Sequence, residues 1–292
     1  MEKNNNCIVF DGEIIADDQP VVPAVSRGLM YGDGIFETFR TYSGQTFLLD
    51  EHLRRLSEGL ELLGIRNEYI SSFSSIRSIV AKLLNKNGLS TSDAILRLQV
   101  WRDGARGYKP DEDAETHFSM TASTCPDQFA HPSLATVSRR RIPSESLPST
   151  AKFTNGINYI LAAREASHKG ADDALMQTID GWVSETTIAN VFWAHGSTIC
   201  TPSVNCDLIP GITRNVIVKL IKEHSSYDLE IGQFELDHLL GADVVWICNS
   251  VREVLPVQQV DSHSFVKKSE LLTALQQVFS SYRKANLKPL DG

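Results

Sequence analysis

No stretch of the chain approaches the ~18 uninterrupted apolar residues of a membrane span, and the first six residues, Met1-Glu2-Lys3-Asn4-Asn5-Asn6, carry no apolar secretory core. Both absences point to a cytoplasmic protein. The five cysteines (Cys7, Cys125, Cys200, Cys206, Cys248) are odd in number and include no Cys-x-x-Cys pair, which argues against a disulfide framework and a zinc ribbon. The eight histidines show no His-x-x-x-His or comparable ligand spacing, so no metal centre is expected. Basic charge is scarce: 28 Lys and Arg against 36 Asp and Glu give a net charge of −8, with no general attraction for nucleic acid or anionic membranes. The longest basic run, Arg139-Arg140-Arg141, lies between Val137 and Ile142 and reads as a strand or loop edge. Neither a fixed-period repeat nor a low-complexity tract is present.

What remains is ordinary globular composition, 42% apolar and 22% charged, in 292 residues, enough for two domains with a cleft between them as the default place for chemistry. An N-terminal α/β domain is expected over 1–122, a linker over 123–134 and a C-terminal domain over 135–292. The first domain opens with strands from Cys7 to Phe10, Glu13 to Ile15, Gly34 to Tyr42 and Thr46 to Leu49, with hairpin chemistry at Asp11-Gly12 and Ser43-Gly44. Asp50 stands where an N-cap would, and Leu53, Leu56, Leu60 and Leu63 keep helical spacing up to Gly64. A second helix is predicted over Ile76 to Asn85 and a strand over Ala94 to Trp101. In the second half, Ile157 to His168 reads as a helix closed by Lys169-Gly170. Strands are expected over Ala135 to Val137, Ala174 to Ile179, Trp182 to Thr186 and Asn190 to Ala194. A helix is expected over Ile212 to Glu223, a buried strand over Asp243 to Asn249, and a frayed basic tail from Tyr282.

A few residues could carry chemistry. Lys152 sits in Thr150-Ala151-Lys152-Phe153-Thr154-Asn155, after a proline loop; desolvated, a lysine there becomes a nucleophile, and the bland alternative is a solvated surface lysine. Glu185 follows the Asp180-Gly181 turn among Val183, Thr186, Ile188 and Ala189, where alternation would turn it inward toward a cationic partner; otherwise it is an edge-strand surface residue. Pro210-Gly211-Ile212-Thr213-Arg214 opens a helix, a start that can hold a phosphate. Arg55 lies off the leucine stripe, facing either solvent or a cleft. The glycines of Gly28-Leu29-Met30-Tyr31-Gly32-Asp33-Gly34 lack Gly-x-Gly-x-x-Gly spacing and precede a strand, so a dinucleotide site is rejected.

Together the segments SRGLMYGDGIFETFR, HLRRL, KFTNGINYILAAREASHKGADDAL, GWVSETTIANVFW, LIPGITR and ICNSVREVLPV, in this order, give a sequence that resembles the class IV aminotransferases, the fold-type IV pyridoxal-phosphate enzymes. The resemblance implies an α+β, two-domain fold with a small N-terminal α/β domain and a larger β-rich C-terminal one. It also implies pyridoxal 5'-phosphate as cofactor, a small-molecule amino substrate and a homodimer. By that resemblance Lys152 is the catalytic, Schiff-base lysine, and Glu185, five residues before Asn190, pairs with the pyridine nitrogen and keeps it protonated. Arg55, Ile212, Thr213, Asn249 and Ser250 would hold the phosphate. Tyr31, Arg40, Arg106 and Tyr108 would meet the substrate. Asn155 is followed here by Gly156, not by the tyrosine of branched-chain enzymes, so Tyr159 receives no cofactor role. The Lys152 to Glu165-Ala166 spacing is similar to that of D-amino-acid aminotransferases and 4-amino-4-deoxychorismate lyases. The segments WRDGARGYKP and ICNSVREVLPV are similar to the lyases. The expected reaction is therefore aminodeoxychorismate cleavage to 4-aminobenzoate and pyruvate, in folate biosynthesis, with transamination of D-amino or branched-chain amino acids as the alternative.

Overall fold

A computed structural model describes residues 6–19, 21–70, 72–111, 113–224, 227–265 and 269–290. They form two compact units. The first runs to Asp127 and also takes in Ala151–Gly156 and the segment from Asn286; the second comprises Gln128–Thr150 and Ile157–Ala285. The boundary is therefore not one cut. The segment carrying Lys152, assigned from sequence to the C-terminal domain, belongs to the first unit, because its backbone is bonded to a strand of that unit.

The first unit is built on β1 (Cys7–Phe10), β2 (Glu13–Ala16), α1 (Arg27–Tyr31), β3 (Gly34–Tyr42), β4 (Gln45–Phe47), α2 (Leu49–Leu63), α3 (Phe73–Lys86), β5 (Ala94–Arg102) and β6 (Thr116–Thr124). A last short strand, Leu287–Pro289, pairs antiparallel with β4, so the tail predicted to fray is held by sheet hydrogen bonds. The seven strands run in the order last strand, β4, β3, β5, β6, β1, β2. Period-2 alternation along β3 turns Ile35, Glu37, Phe39 and Thr41 into the buried layer. Ile35 and Phe39 there join one apolar cluster with Leu53, Leu56 and Leu60 of α2 and Ile76, Val80 and Leu83 of α3. Helix α2 begins after Leu48, not at Asp50; Asp50 lies in the first turn, its carboxylate accepting from Arg77 Nη2 at 2.6 Å. Gly59 lets this helix lie close to its neighbours: a Cβ there would stand 3.0 Å from Ala151 Cβ and 3.1 Å from Ile35 Cγ2.

The second unit contains β7 (Ser133–Thr136), α4 (Ile157–His168), β8 (Asp173–Gln177), β9 (Val183–Thr186), β10 (Asn190–His195), β11 (Thr198–Pro202), α5 (Ile212–His224), β12 (Asp228–Gly232), α6 (Leu236–Leu240), β13 (Val244–Asn249), β14 (Glu253–Pro256), β15 (Gln259–Val260), β16 (His263–Ser264) and α7 (Glu270–Ala285). Its strands run β12, β11, β10, β9, β8, β7, β15, β16, with β13 paired to β10 and β14. Strand β13 is buried from Val244 to Cys248, as its unbroken apolar run requires. The expected linker 123–134 is shorter than predicted, since Ser123 and Thr124 extend β6 while Ser133 and Leu134 open β7. Among the described residues no helix is long and apolar enough to cross a membrane, and no group of three or more His, Cys, Asp or Glu could hold a metal ion.

Candidate active site

In the first unit Lys152 is fixed by its backbone. Phe36 N donates to Lys152 O at 2.9 Å and Thr154 N to Gly34 O at 2.9 Å, so residues 152–154 run as a short antiparallel addition to the start of β3. The Thr154 hydroxyl donates to Gly32 O at 2.7 Å, fastening the far side. The half-buried Lys152 side chain brings Nζ to 5.2 Å from the centre of the Phe36 ring. The same ring carries Arg97, its Cζ at 3.8 Å, so two cations lie against one aromatic ring. Arg97 is exposed, with Nε donating to Gln99 Oε1 at 3.2 Å. Sequence reasoning missed it; the signal was its register opposite Thr38, two residues from Phe36 on the neighbouring strand.

Arg55 is buried and ion-paired, neither solvent-facing nor opposite the core. The leucine stripe misled because the buried face of α2 also includes His52 and Gly59. At about 100° per residue, Arg55 lies roughly 60° from His52 and 40° from Gly59, at the edge of that wider face. Its Nε donates to Glu37 Oε1 at 2.6 Å and its Nη2 to Glu37 Oε2 at 2.8 Å; His52 Nδ1 lies 2.8 Å from the same Oε2. Burial alone would raise the Glu37 pKa, but the Arg55 charge and the His52 hydrogen bond prevail and hold the carboxyl down at about 2. Burial also keeps His52 below its ordinary range, so at neutral pH the trio is Glu37 anion, Arg55 cation and neutral imidazole.

Glu185 lies in the second unit and is buried, which removes its surface reading. On Oε1 it accepts from Tyr159 Oη at 2.9 Å and faces Arg141 Nε at 3.2 Å; on Oε2 it accepts from Ile209 N at 3.1 Å, with Asn190 Nδ2 at 3.4 Å. These donors keep a buried carboxylate ionised. Tyr159, given no role from sequence, thus belongs to this cluster, its hydroxyl pKa raised well above 10 by burial and by the Glu185 charge. Its helix α4 places it three residues past Gly156, and Arg141, read only as an edge of a basic run, stacks on its ring at 4.5 Å. Asn190 Nδ2 also donates to Ile209 O at 2.9 Å, and Arg214 Nη2 to Pro202 O at 2.8 Å, which ties the start of α5 to the sheet. Gly211 leaves room for the Asn190 amide, since a Cβ there would sit 2.2 Å from Asn190 Oδ1 and displace it. Thr213 is buried at that helix start and Ile212 half-buried.

The other expected ligands are arranged differently. The Asn249 side chain is spent on its own turn, Oδ1 accepting from Val251 N at 3.0 Å and Arg252 N at 2.7 Å while Nδ2 donates to Ile188 O at 3.1 Å. Asn249 and half-buried Ser250 therefore supply the bend that ends β13. Arg40 is engaged by Asp93, Nη2 to Oδ2 at 2.5 Å, which draws it away from a substrate role. Tyr31 Oη accepts from Gly107 N at 3.0 Å and its ring leans on Tyr108 at 5.5 Å. This packing, with Arg27 Nη1 donating to Ala105 O and Gly107 O, shapes the loop that exposes Arg106 and Tyr108.

The profile of the family described as amino-transferase class IV matches residues 34–260, most of the chain. The chain belongs to the class IV aminotransferases. It is 32% identical over 281 residues to the aminodeoxychorismate lyase of Bacillus subtilis, covering 93% of each. It is 31% identical over 290 residues to a Methanocaldococcus jannaschii protein provisionally named branched-chain-amino-acid aminotransferase, covering 97% of this chain and 99% of that one. Among solved structures, the branched-chain amino acid aminotransferase of Thermobaculum terrenum in its PLP form superposes with a TM-score of 0.88 over all of both chains at 20% identity, a likeness of fold. The class IV chain is accordingly a two-domain α+β enzyme with its larger sheet in the C-terminal unit.

Proposed function

We propose that this class IV enzyme is a pyridoxal 5'-phosphate-dependent aminotransferase of small D-amino or branched-chain amino acids, acting as a homodimer. The observation that carries the reading is Lys152, backbone-locked to β3 with its amine over the Phe36 ring. Support for transamination over lyase chemistry comes from the near end-to-end match to the Methanocaldococcus jannaschii protein.

The residues present fit the cofactor. In the first unit a half-buried lysine amine would suit its aldehyde and a buried arginine its phosphate; in the second a buried carboxylate with cationic and phenolic donors would suit its ring nitrogen and a glycine-led helix start its phosphate. When bound, pyridoxal 5'-phosphate supplies an aldehyde that condenses with amines and a ring that accepts the electron pair left on a deprotonated carbon. Lys152 Nζ would hold the cofactor at its aldehyde, and the same amine is the group that would move a proton off and onto the substrate carbon. Glu185, held ionised by Arg141 and Tyr159, would keep a proton on the ring nitrogen. Arg55 and the Ile212-Thr213 helix start, with the bend at Asn249 and Ser250, would hold the phosphate. Arg97 is the cation offered to a substrate carboxylate, beside Lys152 on the same ring, with Arg106 and Tyr108 on the exposed loop.

A second reading, aminodeoxychorismate lyase, is favoured by the 32% identity to the Bacillus subtilis enzyme. The two separate in one assay. Under the proposal, a D- or branched-chain amino acid offered without any keto acid converts the bound cofactor to its amino form, and a keto acid restores it. Immediate release of 4-aminobenzoate and pyruvate from aminodeoxychorismate, with no donor changing the cofactor, replaces the proposal with the lyase. Sedimentation of the holoenzyme at twice the chain mass checks the dimer.

A further inference from the structure

Glu37 is the one carboxylate on the core-facing side of β3, set between Ile35 and Phe39 in an apolar layer. A buried charge at such a position is costly unless it is paired and its oxygens are hydrogen-bonded. Both its oxygens are directed to one purpose: they take the Nε and Nη2 edge of Arg55 in a side-on fork of 2.6 and 2.8 Å, and His52 Nδ1 braces Oε2 from the other side at 2.8 Å. A guanidinium is a rigid plane of five N–H donors, so fixing one edge decides where the opposite edge points.

We propose that Glu37 is a positioning residue for cofactor binding: its carboxylate, braced by His52, sets the guanidinium plane with which Arg55 grips the phosphate of pyridoxal 5'-phosphate. The inference rests on the assignment of Arg55 to the phosphate in the proposed function. It makes a prediction opposite in sign to simple electrostatics. The Glu37 charge offsets that of Arg55 and repels a phosphate, so if Arg55 acted only as a point charge, removing the carboxylate charge would tighten binding. If Glu37 works by aiming the fork, its removal weakens binding although the local charge becomes more positive.

The test titrates apo-protein with pyridoxal 5'-phosphate and records the 31P signal of the bound phosphate in wild type, Glu37→Gln, Arg55→Gln, the double variant and Arg55→Lys. Glu37→Gln is expected to raise the cofactor Kd about tenfold or more and to shift or broaden the phosphorus signal. In the Arg55→Gln background the same change should add nothing, because Glu37 acts through Arg55. Arg55→Lys, which keeps charge but cannot fork, should weaken binding about as much as Glu37→Gln and serves if Glu37→Gln fails to fold. Unchanged or tighter binding in Glu37→Gln, or full affinity in Arg55→Lys, overturns the inference alone, provided Arg55→Gln is weakened. Full affinity in Arg55→Gln itself would overturn the phosphate assignment and the inference with it.

Discussion

At the scale of single residues, the two groups singled out from sequence sit in settings that fit the chemistry proposed for them. Lys152 owes its fixed position to hydrogen bonds between its own segment and β3, and Glu185 owes its burial to β9, a strand buried along its whole length and on both faces. Lys152→Ala should abolish covalent cofactor capture and turnover while leaving the far-ultraviolet spectrum unchanged; retained turnover would remove Lys152 from the mechanism. Glu185→Gln keeps the shape but not the charge, so kcat should fall by about 10²-fold or more with the cofactor still bound. A steady-state assay on cofactor-saturated protein checks it, and undiminished kcat would assign the ring nitrogen to another group. Tyr159→Phe removes one donor to the same carboxylate and should cost about tenfold in kcat, in line with about 1–2 kcal/mol for a charge-assisted bond. What sequence reasoning missed at this scale are partners distant along the chain: Arg141 and Tyr159 reach Glu185 from a loop and a helix, and no local spacing encodes that. Glu37 was missed as well, although a glutamate in register with Ile35 and Phe39 is a visible oddity in an alternating strand.

At the scale of elements, helix α2 shows where local rules hold and where packing overrides them. Its leucine spacing located the helix, but its start was misplaced by two residues, because Asp50 is occupied by Arg77 and the chain turns at Leu48 with φ of 53°. Its buried face is wider than the leucines indicate, since a histidine, an arginine and a glycine complete it. Gly59→Ala tests that face. Helix propensity favours alanine by about 1 kcal/mol, while a Cβ at 3.0 Å from Ala151 Cβ works against it by about 1–3 kcal/mol. The expected net result is a lowered Tm and a weaker hold on the cofactor, because Ala151 adjoins Lys152; a raised Tm with unchanged affinity would contradict it. The elements predicted in the second unit were legible to within a few residues, α4 at both ends, but β11, β12, α6, β14, β15, β16 and α7 went unread. The last strand was not legible either, since only pairing with the distant β4 orders it.

At the scale of the whole molecule, the buried trio of Glu37, Arg55 and His52 makes stability depend on acidity in one direction. Glu37 titrates at about 2 in the fold against 4.5 as a free group, so its contribution, roughly 3 kcal/mol, is complete above 4.5 and is lost as the pH falls toward 2. His52 is held below 6.5 by burial, so the unfolded chain takes up its proton first and stability already declines as the pH falls below that value. Tm should therefore fall on acidification from about pH 6.5, and His52→Gln should lose the upper part of that slope; a Tm flat down to pH 4 would contradict the charge states assigned here. The two-unit organisation and the family were legible because the motifs occur in order along the chain, whereas the return of residues 151–156 to the first unit was not, since it depends on a backbone bridge to β3. All of the proposed chemistry passes through the point where the cofactor is attached. Holoenzyme reconstituted with pyridoxal 5'-phosphate, reduced with borohydride and digested should yield one cofactor-bearing peptide by mass spectrometry, modified at Lys152. A label on another lysine, or a chain that binds the cofactor without any reducible bond, would contradict it.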